Sequence, residues 1–507
     1  MMMLNSTVTP RDVVVLPREI AHAREFPQPC RTEELMDAAG CDLLVVSNRL
    51  PELRSPTLPG DPRWRNVGGL VSALEPALAA RKGLWLGWSG RCIPGTAPSG
   101  RLPFTIDAEA SPALAWVDLP EYWRDKYYNG FCNGALWPLL HTLPERARLT
   151  EEEWSCYVRV NEAFAEVATA LVGPATPVWV HDYHFLLLAR ALRRRGHCGP
   201  IGIFLHTPFP DPDVLRILPW AGDIADALLD FSLLGFHTDG YAGAFFRCAA
   251  ALVPERARTL EGGGPGGTPR VRVGIFPIGI IPEGFRDAAA PEVVEEASGL
   301  LRAIAPNRLV LGVDRLDYTK GIPERLQAFG RMLELFPQWR GKVSLVQVSV
   351  PSRADIPDYA DERARVESAV GRVNGEFGDA SWVPVRYLYR SFGRQQLAEL
   401  YRSAAVGYVT PLRDGMNLVA KEYVAAQDPA DPGVLLLSSF AGAAAELVDA
   451  LLTNPWHGEG LARDLDRALR MPLEERCARY ARLRAAVDRT TALTWAESFL
   501  EALMSCR

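Results

Sequence analysis

Apolar residues along the chain fall in short, often β-branched runs, separated by longer stretches of helical composition. The first run, Asp42-Leu43-Leu44-Val45-Val46-Ser47-Asn48-Arg49, has the pattern of a buried strand that stops at a polar turn. Strands are expected next near Leu84–Trp88, Val178–Val180, Ile201–Leu205 and Ser232–Gly235. Helical stretches at Glu152–Leu171, Leu186–Arg195, Val214–Leu229 and Tyr241–Leu252 are interleaved with them, and a further one follows a glycine pair at Val71–Ala80. A second series has strands at Leu309–Val313, Val343–Val348, Val385–Leu388, Val406–Thr410 and Val434–Leu437. Its helices fall at Pro323–Leu335, Ala360–Asn374, Gln395–Arg402 and Leu418–Gln427. This alternation predicts an α/β fold of two parallel, doubly wound sheets, joined near Gly279–Ala303, with a cleft between strand ends.

The domain reading that follows is an N-terminal extension over 1–41, a first Rossmann-like domain over 42–290, a second over 291–470 and a helical tail over 471–507. The glycine-rich run Gly262–Gly267 follows no phosphate-binding pattern and is expected to be a plain connection.

Composition narrows the class. A chain of 507 residues is too long for one compact core, and 48% hydrophobic with 23% charged residues is the balance of a soluble globular protein. A formal charge of −6 argues against nucleic-acid binding, although local Arg and Lys can still hold an anionic substrate. The nine cysteines show no C-x-x-C pair, so neither a disulfide framework nor a zinc site is expected. No apolar run has the length of a membrane span, and Val13–Leu16 is too short for a signal-peptide core, which predicts a cytoplasmic protein.

The candidate chemistry sits at strand ends. Val409 to Asp428 reads as strand, tight turn with Pro411, Gly415 and Asn417, then helix, the arrangement that places ligands in open α/β sheets. The N–H groups of such a helix start favour an anion such as a diphosphate, which leaves Asp414 and Glu422 for sugar hydroxyls. Taken alone, the segment is also compatible with an ordinary βα connection. Arg315 and Lys320 follow the first strand of the second lobe and supply a fork and a point charge for a diphosphate; the competing reading pairs them with Asp314, Asp317 and Glu324. His181-Asp182-Tyr183-His184 and His206 close two first-lobe strands, in a spacing that is no zinc signature, and His181 and His184 are expected to be hydrogen-bonded core histidines. The aromatic cluster of Tyr122, Trp123, Tyr127, Tyr128, Phe131 and Trp137 reads from composition as core.

Ser47-Asn48-Arg49, Gly68-Gly69-Leu70, Gly87-Trp88-Ser89-Gly90, Tyr127-Tyr128-Asn129, His181–His184, Arg315-Leu316-Asp317-Tyr318 with Lys320-Gly321, Pro351-Ser352-Arg353 and above all Arg413–Pro429 together resemble the trehalose-6-phosphate synthase family. These are retaining glycosyltransferases of family 20, with the two-lobed GT-B fold. The resemblance implies that Gly68, Gly69, Arg315, Lys320, Phe392 and the stretch Leu418, Val419, Ala420, Lys421 and Glu422 hold a nucleotide-glucose, UDP- or GDP-linked, with Glu422 on the ribose. Gly415, Met416 and Asn417 belong to the same donor turn, and Asp414 and His206 would hold hydroxyls of the donor glucose. It further implies that Arg49, Trp88, Tyr128, Asp182 and Arg353 bind glucose 6-phosphate, with Trp137 and Thr207 bordering that pocket. Asp182, His206, Arg315, Lys320 and Asp414 would carry catalysis, the departing diphosphate oxygen would take the acceptor's proton, and neither a metal nor another cofactor is expected.

The chain departs from the family pattern at Thr207, where many relatives carry Ile, in the long basic loop Pro51–Asn66, and in its first 40 residues. Two rival readings remain at this stage, a glycerol 3-phosphate acceptor and a catalytically silent sugar-phosphate sensor. Retention of Arg49, Arg315, Lys320 and Arg353 weighs against the second. A homo-oligomer is compatible with these residues, which do not fix the oligomeric state.

Overall fold

The structure is a computed structural model that describes residues 41–50, 74, 78, 81–95, 102–108, 110, 112–261, 271–286, 295–353 and 356–506. The N-terminal extension, the loop Pro51–Asn66, the glycine pair Gly68-Gly69 and the run Gly262–Gly267 lie outside the described residues, as does most of the expected helix Val71–Ala80.

Among the described residues the first sheet has eight strands: β1 Leu43–Arg49, β2 Gly83–Ile93, β3 Phe104–Asp107, β4 Ala113–Pro120, β5 Val178–His181, β6 Ile201–Phe204, β7 Leu233–Phe236 and β8 Arg272–Ile275. They lie in the order β3-β4-β2-β1-β5-β6-β7-β8, parallel except for the antiparallel pair β3–β4. The second sheet has six: β9 Arg308–Arg315, β10 Val343–Val350, β11 Val385–Leu388, β12 Val406–Val409, β13 Val434–Ser438 and β14 Leu451–Thr453. Their order is β11-β10-β9-β12-β13-β14. Central strands are apolar on both faces because helices cover both sides: β1, β5 and β6 are buried up to their last residues.

The strand order reverses between β1 and β5 in one sheet and between β9 and β12 in the other. A crevice opens at the carboxyl ends of such neighbours because their crossover helices lie on opposite faces. Arg49 and His181 end β1 and β5, Arg315 ends β9, and the Asp414 turn follows β12. Every one of these candidate residues stands at a switch point.

Strands β3, β4, β8 and β14 were not anticipated. They are short or half-buried lateral strands, whose mixed pattern carries little periodicity. The expected helix Val214–Leu229 is two pieces, Pro212–Leu215 and Ala221–Leu228. The tail, expected to be helical throughout, breaks at Thr490-Thr491, where the Thr491 hydroxyl accepts from the Thr494 N–H at 3.1 Å and starts a new helix. That last helix, Ala492–Met504, returns to the first sheet. Trp495 and Phe499 pack on Trp179 with ring centroids 5.2 and 4.7 Å away. Gly202 and Gly235 carry no side chain there, and a Cβ on Gly235 would come within 2.7 Å of the Phe499 ring.

Candidate active site

The candidate donor turn is built around Asp414. Its peptide N–H donates to the Phe440 carbonyl at 3.1 Å, while its carbonyl accepts from the Gly442 N–H at 3.1 Å and from the Tyr241 hydroxyl of the first lobe at 2.9 Å. Its carboxylate takes the Lys320 ammonium at 2.5 Å and the Asn417 amide at 3.0 Å. Burial alone would raise this carboxyl, but the charge and hydrogen bond of Lys320 carry it below the usual range. Asn417, at φ 77°, caps the helix Leu418–Ala426 by accepting the Ala420 N–H at 3.3 Å. The anion-receptive helix start is therefore partly filled by its own cap.

At Gly415 the two lobes approach closely. A Cβ there would lie 1.9 Å from the His206 carbonyl oxygen, so only glycine allows the turn to sit against the end of β6. The Met416 carbonyl accepts the Ala443 N–H at 2.8 Å, which anchors the far side of the turn.

Further along the helix, the Tyr401 hydroxyl donates to Glu422 at 3.0 Å, and burial raises the Glu422 carboxyl. The Lys421 ammonium is held by Glu446 at 2.6 Å and by the Ile278 carbonyl at 2.8 Å. Leu418 and Val419 pack on the core around buried Ala420, and Phe392 is buried with the Arg390 guanidinium 4.8 Å above its ring.

The pairings of Arg315 and Lys320 with Asp314, Asp317 and Glu324 are not formed. Asp314 is taken by fully buried Arg325, Asp317 by Arg353 at 3.2 Å, and Glu324 by Arg365 at 3.1 Å. Lys320 is itself only 7% exposed. Arg315 stands exposed at the end of β9, near enough for its charge to lower Asp182, Asp317 and Asp414. Arg325 is the support beneath: it donates to the Thr410 hydroxyl at 2.9 Å, to Gln347 at 2.9 Å and to the Lys320 carbonyl at 3.4 Å. Sequence reasoning missed it, since an arginine on the helix Ile322–Leu335 gives no sign of burial.

The acceptor candidates gather around Arg353, which follows β10 at φ 47°. Its guanidinium lies 4.2 Å over the Trp137 ring, reaches the Tyr183 hydroxyl at 3.4 Å and donates to the Tyr359 hydroxyl. Tyr359 also donates to Asp317 at 3.0 Å. Burial would raise the Asp317 carboxyl, but Arg353, Lys320 and Arg315 bring it down to about 2. Asp317 was visible inside the Arg315–Tyr318 motif, whereas Tyr359 carried no signal. Arg49 sits 5.7 Å from the Trp88 ring centre, and Trp88 meets Tyr128 edge-on at 5.7 Å. Tyr128 stacks on His184 at 6.0 Å.

The aromatic cluster thus divides. Tyr127 and Phe131 are core, while Tyr128, on the π-helical segment Arg124–Leu136, meets Trp88 and His184, and Trp137, which opens the next helix, lies under the Arg353 guanidinium. The Trp137 ring also rests 4.1 Å from His141, a buried imidazole whose desolvation lowers its pKa to about 4.

Asp182, at φ 69°, accepts the His206 peptide N–H at 3.2 Å, and burial pushes its carboxyl up to about 6. His181 and His206 are bonded ring to ring, Nδ1 to Nε2, at 3.2 Å. His184 differs from expectation, since neither ring nitrogen has a hydrogen-bond partner among the described residues. Thr207 is buried, and its hydroxyl has no partner among them either. Among the described residues no group of three or more His, Cys, Asp or Glu is placed to hold a metal ion.

The model of Glycosyltransferase family 20 matches residues 42–505. The chain belongs to glycosyltransferase family 20. A trehalose-6-phosphate synthase of Cronobacter sakazakii is 41% identical over 463 residues, 91% of this chain and 94% of that protein. The crystal structure of a UDP-forming α,α-trehalose-phosphate synthase from Burkholderia vietnamiensis is 41% identical with a TM-score of 0.83, covering 92% of this chain and 99% of that one. A second UDP-forming enzyme, from Burkholderia xenovorans and solved in complex with glucose 6-phosphate, is 38% identical with a TM-score of 0.78, covering 91% and 99%. The two sheets with their strand ends meeting at the site are the family's GT-B fold, and the family match takes in the helical tail.

Proposed function

We propose that the chain transfers glucose from a nucleotide-glucose to glucose 6-phosphate with retention of configuration, giving α,α-trehalose 6-phosphate and the free nucleoside diphosphate. The observation that carries this reading is the pairing of cation clusters where the lobes meet. Lys320 and Arg315 stand at one switch point beside Asp414; Arg353, on Trp137 and Tyr183, is joined through the rings of His184, Tyr128 and Trp88 to Arg49. The first suits a diphosphate next to a sugar, the second a sugar phosphate. UDP is the nucleotide we favour, because the similar Burkholderia enzymes are UDP-forming.

In this reading the bond from glucose C1 to the diphosphate oxygen breaks while a bond from C1 to the acceptor oxygen forms on the same face. The acceptor's hydroxyl proton passes to the departing diphosphate oxygen, whose growing charge Lys320 and Arg315 stabilise. Asp414 is engaged by Lys320 and Asn417, and Asp182 by the His206 N–H, which supports a reading in which neither carboxylate attacks the sugar. Glycosidases, by contrast, oppose two carboxyls across the bond. Catalysis then comes from positioning and fixed charge, without a resident metal. Buried Glu422 takes the ribose and Phe392 borders the nucleotide.

The test is an initial-rate matrix of UDP-, GDP- and ADP-glucose against glucose 6-phosphate and glycerol 3-phosphate, with and without a chelator. Transfer to glucose 6-phosphate, fastest from UDP-glucose and indifferent to the chelator, is expected. Transfer to glycerol 3-phosphate alone would overturn the acceptor assignment, and chelator-sensitive rates would overturn the metal-free one.

A further inference from the structure

The ring-to-ring bond between His181 and His206 has a consequence for the donor site. His206 follows β6 with its backbone clamped: its N–H goes to Asp182 at 3.2 Å and its carbonyl lies against Gly415. His206 as a residue keeps partial exposure, whereas His181 is 1% exposed, packed against Trp179 at 4.6 Å and Trp495 at 6.2 Å. Burial holds both imidazoles neutral, so each ring carries one proton.

Two arrangements satisfy the 3.2 Å bond. If His206 Nε2–H donated, the His181 proton would sit on Nε2, which is buried with no partner among the described residues. If His181 Nδ1–H donates, that position is a bare lone pair. An orphaned buried N–H is the rarer defect of the two. We propose that His181 is a positioning residue: its Nδ1–H bonds His206 Nε2, which fixes His206 as the Nδ1–H tautomer and makes it a hydrogen-bond donor to the nucleotide sugar. The role rests on the donor reading above. It also divides the labour on the sugar, since Asp414 can only accept and a neutral Nδ1–H can only donate. His237 does not compete for the ring nitrogens: its Nδ1 accepts the Ile278 N–H at 3.5 Å, and its ring is edge-on to His206 at 5.8 Å.

The experiment uses the full-length protein with 15N-labelled histidine. Long-range 1H–15N spectra, with His206→Gln to assign the resonance, should show His206 protonated at Nδ1 and bare at Nε2. Protonation at Nε2 overturns the proposal. In kinetics, His181→Phe keeps a ring but no donor. It should lower kcat/KM for the nucleotide sugar about tenfold, the worth of one hydrogen bond, with the acceptor KM unchanged. His181→Asn, whose amide can donate from near the Nδ1 position, should recover most of that loss. Equal loss in both variants, or no loss in His181→Phe, overturns the role. Should His181→Phe fail to fold, the tautomer and the Asn variant decide. An Nδ1–H tautomer in a wild-type protein that transfers no glucose would sink the proposed function, and the role of His181 with it, but not the hydrogen-bond assignment.

Discussion

Lys320 and Arg353 each hold a carboxylate in the free protein, and each is assigned to a phosphate. An ammonium on Asp414 at 2.5 Å still has two N–H groups to offer, so the ion pair orients Lys320 without consuming it. Lys320→Ala is expected to lower kcat by about 10²–10³-fold, the scale of losing one preorganised charge at the leaving group. It also strands a buried carboxylate, so its melting temperature should fall. Adding Asp414→Asn should restore the melting temperature but not the turnover. Near-normal turnover in Lys320→Ala would remove this residue from the mechanism. Arg353→Lys keeps the charge but loses the planar face on Trp137 and the fork between Asp317 and Tyr183. The acceptor KM should rise about tenfold or more while the donor KM stays unchanged, the difference expected from losing charge-assisted hydrogen bonds.

Between residue and molecule, the turn joining β12 to the helix Leu418–Ala426 has to meet the end of β6 without a side chain intervening. Gly415→Ala would place a methyl on the His206 carbonyl and push the lobes apart by about 1 Å, enough to cost about 10²-fold in turnover. Circular dichroism should be unchanged, because both sheets keep their strand pairing; a fully active variant would show that this approach is not needed. The central strands and this turn were legible in the sequence because runs such as Leu43–Val46 and Val434–Leu437 are continuous and apolar, with turn residues at their ends. The lateral strands were not, since half-buried edges such as Arg272–Ile275 lack any periodicity. Among site residues, Arg315, Lys320 and Asp414 could be read from their positions at strand ends. Arg325 and Tyr359 could not, because long-range burial of a helical arginine or tyrosine leaves no local trace. Tyr128 and Trp137 looked like core from composition alone; the contacts that set them apart, with Trp88 and His184 for one and with Arg353 for the other, are made across the fold.

At the scale of the whole molecule, six of the eight histidines hold pKa values below the usual imidazole range: His141, His181, His197 and His237 are buried, and His184 and His206 are partly so. The unfolded chain binds protons at these sites below about 6.5, where the folded chain does not. Their stabilising contribution is therefore complete above that value and lost as the pH falls toward 3–4, the folded range of His141, His184, His197 and His206. Asp182 works in the opposite sense: raised from 3.8 to about 6, its contribution is complete below the lower value and lost as the pH rises through the upper one. The histidines outnumber it, so the melting temperature should fall steadily from pH 6.5 to pH 4. A flat profile would show that these rings are not buried neutral. In the proposed reading, both sheets and the returning helix Ala492–Met504 serve to hold two anion sites with a sugar between them. The most direct measurement of that claim is the structure of the product formed from UDP-glucose and glucose 6-phosphate, read by NMR of the purified sugar phosphate. An α,α-1,1-linked disaccharide 6-phosphate is predicted, with one UDP released for each linkage made. Free glucose, an inverted anomer or any other linkage would contradict it.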